Sequence, residues 1–333
     1  MRMEDFSALI APDALFLALG AALLLLPGLV AMGAMCVALL TAASLRKSSR
    51  VFADKLAKQI TEFGVLVLGA WLLIVSARWG LWIGEIWPVS EIQQAFYHLF
   101  FDIPGQTALV ATLLSLLFVR TWRRKKRSST GHFVLGGAAC LAWMTALMLF
   151  IQGGLFLVQA ETPPARMDIS STMMFLSVPT VWLVWAQALF LGMALAGGLG
   201  LLYLVIRRSR EDYGRDYYGW AARACALRAL SSGIVQVFWA GALYLSLSIN
   251  QAWADLAIQE VSQWIRAALA ALPGSPAFPA MLAYLAISLT AWLSLLPLVR
   301  SQNPMRLKGL MLVHVLFMFI AVVLLIMVVS ELF

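Results

Sequence analysis

Three polar side chains recur every four residues, Gln94, His98 and Asp102, and would share one face of any helix that ran through them. Elsewhere in the long apolar runs polar groups stand singly: Gln106, Gln152, Gln187, Gln236 and His314. A carboxamide, an imidazole and a carboxylate on one face can hydrogen-bond the carbonyls or hydroxyls of a small ring compound in a slot between helices. That is what a quinone site demands, and Gln152 would contribute at comparable outer depth. The same side chains would equally serve as caps and anchors at a membrane boundary.

Other chemistries meet obstacles. Cys36, Cys140 and Cys225 stand singly, without the CxxC or CxxCH spacing of iron–sulfur centres or c-type haem, and read as small buried thiols. A bis-histidine b haem needs two imidazoles at one depth. His98 falls near the outer surface, His132 at the inner edge and His314 in the inner third, so only His132 and His314 could match, and only on adjoining helices. Met281 and His314 remain as weak single haem ligands, and haem b is not expected. A proton or ion path needs carboxylates through the core, where only Asp102 and Glu62 occur, both near span ends.

The elements that must position these groups follow from composition. The chain has 333 residues, 62% hydrophobic and 12% charged, with a mean hydropathy of +0.88. Soluble domains are about 45–50% apolar and about 25% charged. The expected fold is therefore all-α: a polytopic membrane protein in the lipid bilayer, with about eight transmembrane helices. The spans read as 14–43, 60–82, 102–120, 132–158, 172–206, 229–249, 277–299 and 308–330. No cleavable signal sequence is evident, because Met1-Arg2-Met3-Glu4-Asp5 carries two acids and the first apolar run is too long.

Charge orients the spans. All lysines and arginines but Arg2, Arg78, Arg166 and Arg266 fall in the connections after spans one, three, five and seven. The positive-inside rule puts those connections in the cytoplasm and both termini outside. The net charge of +8 thus reads as topology and not as nucleic-acid binding. The basic turn from Leu45 to Lys55 returns in altered form from Ile206 to Asp216, about 160 residues later, and each copy follows a Gly/Ala-rich run and feeds a half-polar lead-in. The chain reads as one four-helix unit used twice, over 1–165 and 166–333.

Between the spans, Ser90 with Gln93 resembles a capping box opening a short helix through Phe101. Asn250 to Leu272 has apolar residues at helical spacing, suited either to the outer leaflet surface or to a partner subunit. Gly192, Ala196, Gly197, Gly198 and Gly200 in span five, and Gly20, Gly28 and Gly33 in span one, permit close helix approach. Trp71, Trp79, Trp82, Trp87, Trp182, Trp185, Trp239, Trp253 and Trp264 mostly fall where an outer aromatic belt belongs.

The order of features resembles subunit I of cytochrome bd-type quinol oxidases, and more closely its divergent paralogues. The likeness rests on Leu45-Arg46 through Phe63-Gly64, including Phe52-Ala53-Asp54. It continues in Trp122-Arg123, His132, Gln152-Gly153, Leu202-Tyr203 running into Arg207-Arg208, and Phe278-Pro279-Ala280-Met281. Where that family holds haem or oxygen ligands, this chain has apolar residues near Leu23, Ala111 and Leu183-Val184, and the long external quinol loop is missing. The resemblance implies a scaffold in the bacterial cytoplasmic membrane that has lost oxygen reduction. A second, architectural likeness is to the polysulfide-reductase (NrfD-type) membrane subunits, which bind quinone without haem and anchor iron–sulfur partners.

The expected role is a haem-free or haem-poor subunit of a respiratory electron-transfer complex. It would scaffold cytochrome or iron–sulfur redox subunits and form a quinone site from Gln94, His98, Asp102 and Gln152. Any enzymatic activity would belong to the quinone-linked complex. An NrfD-like quinone-binding anchor is one alternative, and a small-solute transporter or purely structural membrane protein is the alternative of another class.

Overall fold

In lipid a run of about twenty apolar residues has no water for its amides, so it closes them internally as a helix. The computed structural model describes residues 12–43, 49–83, 103–122, 130–159, 179–211, 213–252 and 278–332. The described helices are α1 (Pro12–Ala42), α2 (Arg50–Ile83), α3 (Ile103–Trp122), α4 (Thr130–Gln159), α5 (Pro179–Arg208), α6 (Arg215–Ala252), α7 (Phe278–Arg300) and α8 (Lys308–Leu332), with a 3-10 turn at Pro304–Arg306. Each anticipated apolar span carries one of them. Seven are long and apolar enough to cross a membrane. The eighth, α2, carries Asp54, Lys55, Lys58 and Glu62 in its first turns.

Two helices begin well before their apolar spans. The lead-in of α2 buries Ala53, Leu56, Ala57 and Ile60, and that of α6 buries Tyr217, Tyr218, Ala221, Ala222 and Cys225. Spacings of three and four residues put each set on one face, so both lead-ins pack as amphipathic helix continuous with the span. The segment from Ser90 to Phe101 lies outside the described residues. Of the helix expected over Asn250–Leu272, only the residues through Ala252 are described, and they continue α6.

Consecutive helices form four hairpins, α1/α2, α3/α4, α5/α6 and α7/α8. The first helices of the two halves, α1 and α5, cross each other, and α4 and α8 each touch both. α2 meets α3 as α6 meets α7, and α2 also meets α6. Exchanging α1–α4 for α5–α8 leaves these hairpins and crossings unchanged, while α2 also touches α5 without an equal α6–α1 counterpart.

The central crossing is backbone on backbone. A Cβ built on Gly33 would stand 2.0 Å from the Gly192 carbonyl oxygen, and one on Gly192 would stand 2.6 Å from that of Leu29. Only hydrogen side chains let the helices approach this far. The turn from α5 to α6 also needs a glycine: Gly214 has φ +84°, in the left-handed region. Large apolar side chains face outward, with Leu73 72% and Phe238 75% exposed. A lipid bilayer is the environment that accepts such a surface.

Candidate functional site

Two polar regions stand out among the described residues. The first lies where the lead-in of α2 meets the α5–α6 turn. Arg207, at the end of α5, reaches Glu62 at 2.8 Å and Glu211 at 2.6 Å. Lys58 stands 3.8 Å from Glu62 one turn back on α2. Gln59 Nε2 donates to Glu211 Oε2 at 3.3 Å, and Gln59 Oε1 accepts from the Tyr217 hydroxyl at 2.5 Å. The Tyr218 hydroxyl donates to the Glu211 backbone carbonyl at 2.5 Å, and the Lys55 ammonium sits 4.5 Å from the centre of the Tyr213 ring.

Burial pushes the Glu211 carboxyl upward, but hydrogen bonds from Arg207, Tyr213 and Gln59 outweigh it and hold the group below the usual carboxylate range. Tyr213 is raised, by burial first and then by the Glu211 carboxylate. Here both carboxylates have cationic partners. The arrangement ties the lead-in of α2 to the α5–α6 turn.

The second region lies inside the membrane-spanning part of α5–α8. Gln187 on α5 donates through Nε2 to Gln236 Oε1 on α6 at 2.7 Å, and the Tyr284 hydroxyl on α7 donates to the same oxygen at 2.7 Å. All three residues are buried, with Ser288 one turn further along α7. Gln187 Oε1 and Gln236 Nε2 find no hydrogen-bond partner. Toward the end of α7, His314 Nδ1 lies 2.9 Å from the Ala291 carbonyl oxygen, while its Nε2 is unpartnered. His314 is 1% exposed and faces Gly198, where a Cβ would stand 2.7 Å from Nε2.

Of the anticipated site residues, Gln94, His98 and Asp102 lie outside the described residues. Gln152 is fully buried in α4, and among the described residues neither end of its carboxamide meets a partner. Met281 is buried in α7, ten residues before Ala291, which puts it about 15 Å along the axis from the level of His314. The two do not share a site. His132 is held between Phe118 and Trp122, at ring distances of 4.5 and 4.4 Å, with Nδ1 2.8 Å from the Thr121 hydroxyl. It closes the α3/α4 hairpin, and α4 does not pack on α8, so His132 and His314 do not face each other. Among the described residues no group of three His, Cys, Asp or Glu could hold a metal ion.

The cysteines are buried free thiols, as their lone spacing suggested, and the sulfurs of Cys36 on α1 and Cys140 on α4 lie 2.9 Å apart. Separated by more than a hundred residues, they could not be paired by spacing. Two of the described tryptophans make contacts inside the bundle. Trp71 is buried against Gly28, and Trp185 Nε1 donates to the Met144 carbonyl at 3.0 Å, joining α5 to α4. Sequence reading noted Gln187 and Gln236 only as isolated polar residues. Their meeting with Tyr284 had no signal in spacing.

Comparison with known proteins returns no matching family model and no matching curated relative. The geometry itself offers hydrogen-bonding atoms without partners inside an apolar frame, at Gln152, at Gln187 and Gln236, and at His314.

Proposed function

We propose that the chain is a haem-free or haem-poor membrane subunit of a quinone-linked electron-transfer complex, scaffolding cytochrome or iron–sulfur subunits that carry the electrons. In this reading both termini lie outside, the basic turns lie in the cytoplasm of a bacterial cell, and the two halves descend from one four-helix unit. The matching hairpins and the α1/α5 crossing of the two halves support the last point.

The observation that carries the quinone reading is Gln152, fully buried in α4 with both carboxamide atoms unpartnered. An unsatisfied amide in apolar surroundings costs on the order of 2–7 kcal/mol. A membrane-soluble ring bearing oxygen atoms would relieve that cost, and Gln94, His98 and Asp102 are proposed to complete its surroundings. The layout shared with bd-type subunit I, without the ligands that family uses, supports a scaffold that has kept its place in a redox complex.

Purification from the native membrane tests the reading, through quinone extraction, a reduced-minus-oxidised spectrum and identification of co-purifying chains. Bound quinone and at least one redox partner are expected. A clean monomer with neither overturns the proposal. Stoichiometric paired b haems in the isolated chain would overturn the ligand argument. A solute transporter is the competing reading, favoured by the buried Gln187–Gln236–Tyr284 cluster between α5, α6 and α7. Substrate-dependent uptake into vesicles without a redox couple would decide for it.

A further inference from the structure

A groove of about 300 Å³ lies between α1, α5 and α8, walled by Leu26, Leu195, Leu199, Leu312, Leu316 and Phe319 among others. Leu312 and Leu316 are 61% and 56% exposed, so that side of the groove faces the lipid. His314 is the one polar residue along it, and it offers the groove no hydrogen bond. Its Nδ1 meets the Ala291 carbonyl, and its Nε2 is enclosed against Gly198. A ligand with polar ring atoms would strand them among these walls. Hydrocarbon fits them.

Charge at the end of α8 indicates what the hydrocarbon is attached to. Lys308 opens the helix. Positions 308, 312, 316 and 319 follow one another at intervals of three and four, so they run along one helix face. Lys308 thus stands one turn before Leu312, above the groove, and is exposed. The stretch from Arg300 to Lys308 holds three bases, Arg300, Arg306 and Lys308, and no acid. All three bases are exposed.

Depth agrees with charge. At 1.5 Å per residue, the wall from Leu312 to Phe319 lies about 6 to 17 Å from the level of Lys308. One leaflet of bilayer hydrocarbon is about 15 Å deep, half of the ~30 Å core. A chain hung from a headgroup at Lys308 would therefore run the length of the groove and end near the bilayer midplane.

We propose that the groove binds one acyl chain of an anionic phospholipid whose headgroup phosphate lies against Lys308 and Arg306. The second chain stays in the bilayer outside Leu312 and Leu316. A zwitterionic lipid offers the same chain, but its headgroup cation opposes the two bases. Each base near a membrane surface favours an anionic headgroup by about fivefold, an effect that salt screens. The bound lipid fills the gap beside the α1/α5 crossing. The inference stands apart from the quinone-linked reading and assigns no electron-transfer step to the groove.

The test reconstitutes the full chain in vesicles of dioleoylphosphatidylcholine carrying a trace of phosphatidylglycerol or phosphatidylcholine with a diazirine in one acyl chain. After illumination, labelled residues are located by mass spectrometry. Label from the phosphatidylglycerol probe is expected on residues 195–199 and 312–319, at least fivefold above that from the phosphatidylcholine probe. Lys308→Gln should cut this preference about fivefold, and Lys308→Gln with Arg306→Gln should bring it close to one. Both positions are exposed at a helix end, so folding should be unaffected, which monodispersity and unfolding temperature check. Leu316→Trp, also at an exposed position, should block the groove and remove label from both probes there.

The wild-type labelling decides even if a variant fails to fold. Label confined to other residues overturns the site. Equal labelling by both probes makes the groove ordinary boundary lipid and overturns the proposal. A preference unchanged in the double variant overturns the assignment to Lys308 and Arg306. Label displaced by decylubiquinone but not by unlabelled phosphatidylglycerol gives the groove to a quinone and overturns the lipid. Loss of label on dimer formation gives it to a second copy of the chain, with the same consequence.

Discussion

The network around Arg207 at the helix ends and the groups within the apolar spans at Gln187, Gln236, Gln152 and His314 are both polar clusters, but they end differently. At the edge, Glu62 and Glu211 share the Arg207 guanidinium, and Gln59 is held from both ends. In the core, each carboxamide and the His314 ring leaves at least one atom without a partner. Partly exposed ion pairs contribute little, about 0–1 kcal/mol. Unmet polar atoms in an apolar interior cost more. The edge network is explained by tying the lead-in of α2 to the α5–α6 turn. The core groups weaken the fold as they stand, which is why they, and not the charges, point toward ligands.

The difference can be broken experimentally, beginning in the core. Gln236→Leu removes the acceptor of both Gln187 and Tyr284 and is expected to destabilise by about 1–3 kcal/mol, read by unfolding in mixed micelles. Gln187→Leu, Gln236→Leu and Tyr284→Phe together should recover most of that loss. An additive triple loss would mean the cluster stabilises the fold by itself.

Gln152→Leu sharpens the contrast, because no partner is stranded. Stability should stay level or rise, while quinone turnover in the assembled complex falls severalfold. Unchanged turnover with normal assembly would make Gln152 a tolerated orphan. Loss of turnover in Asp102→Ala or His98→Ala is expected on the same reading.

At the edge the effects are smaller. Arg207→Ala should lower stability by about 1 kcal/mol or less, since the side chain is 24% exposed, and the loss should shrink further at high salt. Glu211 gives a pH signature. Its carboxyl is held below the usual range in the folded protein, so its stabilisation is fully present above the ordinary glutamate pKa. It is lost as pH falls through the lowered folded value. A thermal-melt series from neutral to acid pH should show this fall, reduced in Glu211→Gln. An identical slope in the variant would assign acid loss to other groups.

How much was legible depends on what each inference needed. The apolar spans could be read because a helix in lipid satisfies its own backbone, a local requirement visible in any window of about twenty residues. The lead-ins at Arg50 and Arg215 extend the helices because one face of each is buried, and charge lowers their mean hydropathy without breaking that periodicity. The glycines of spans one and five were recognisable as approach points. That Gly33 meets Gly192, and that Gly198 makes room for His314, could not be seen, since spacing within a helix does not say which helix lies against it. The pairing of Cys36 with Cys140 escaped for the same reason.

By itself the sequence determined that this chain is built of helices long and apolar enough to cross a membrane, and where their apolar spans lie. Backbone hydrogen bonding in lipid leaves no other solution for such a composition. Only the tertiary structure decided which polar groups are satisfied. It placed Arg207 between two carboxylates, brought Gln187, Gln236 and Tyr284 to one point, and enclosed His314 Nε2 against Gly198 with no partner among the described residues. Those outcomes depend on contacts between helices distant in sequence, and partner, distance and enclosure together settle what a buried side chain can do.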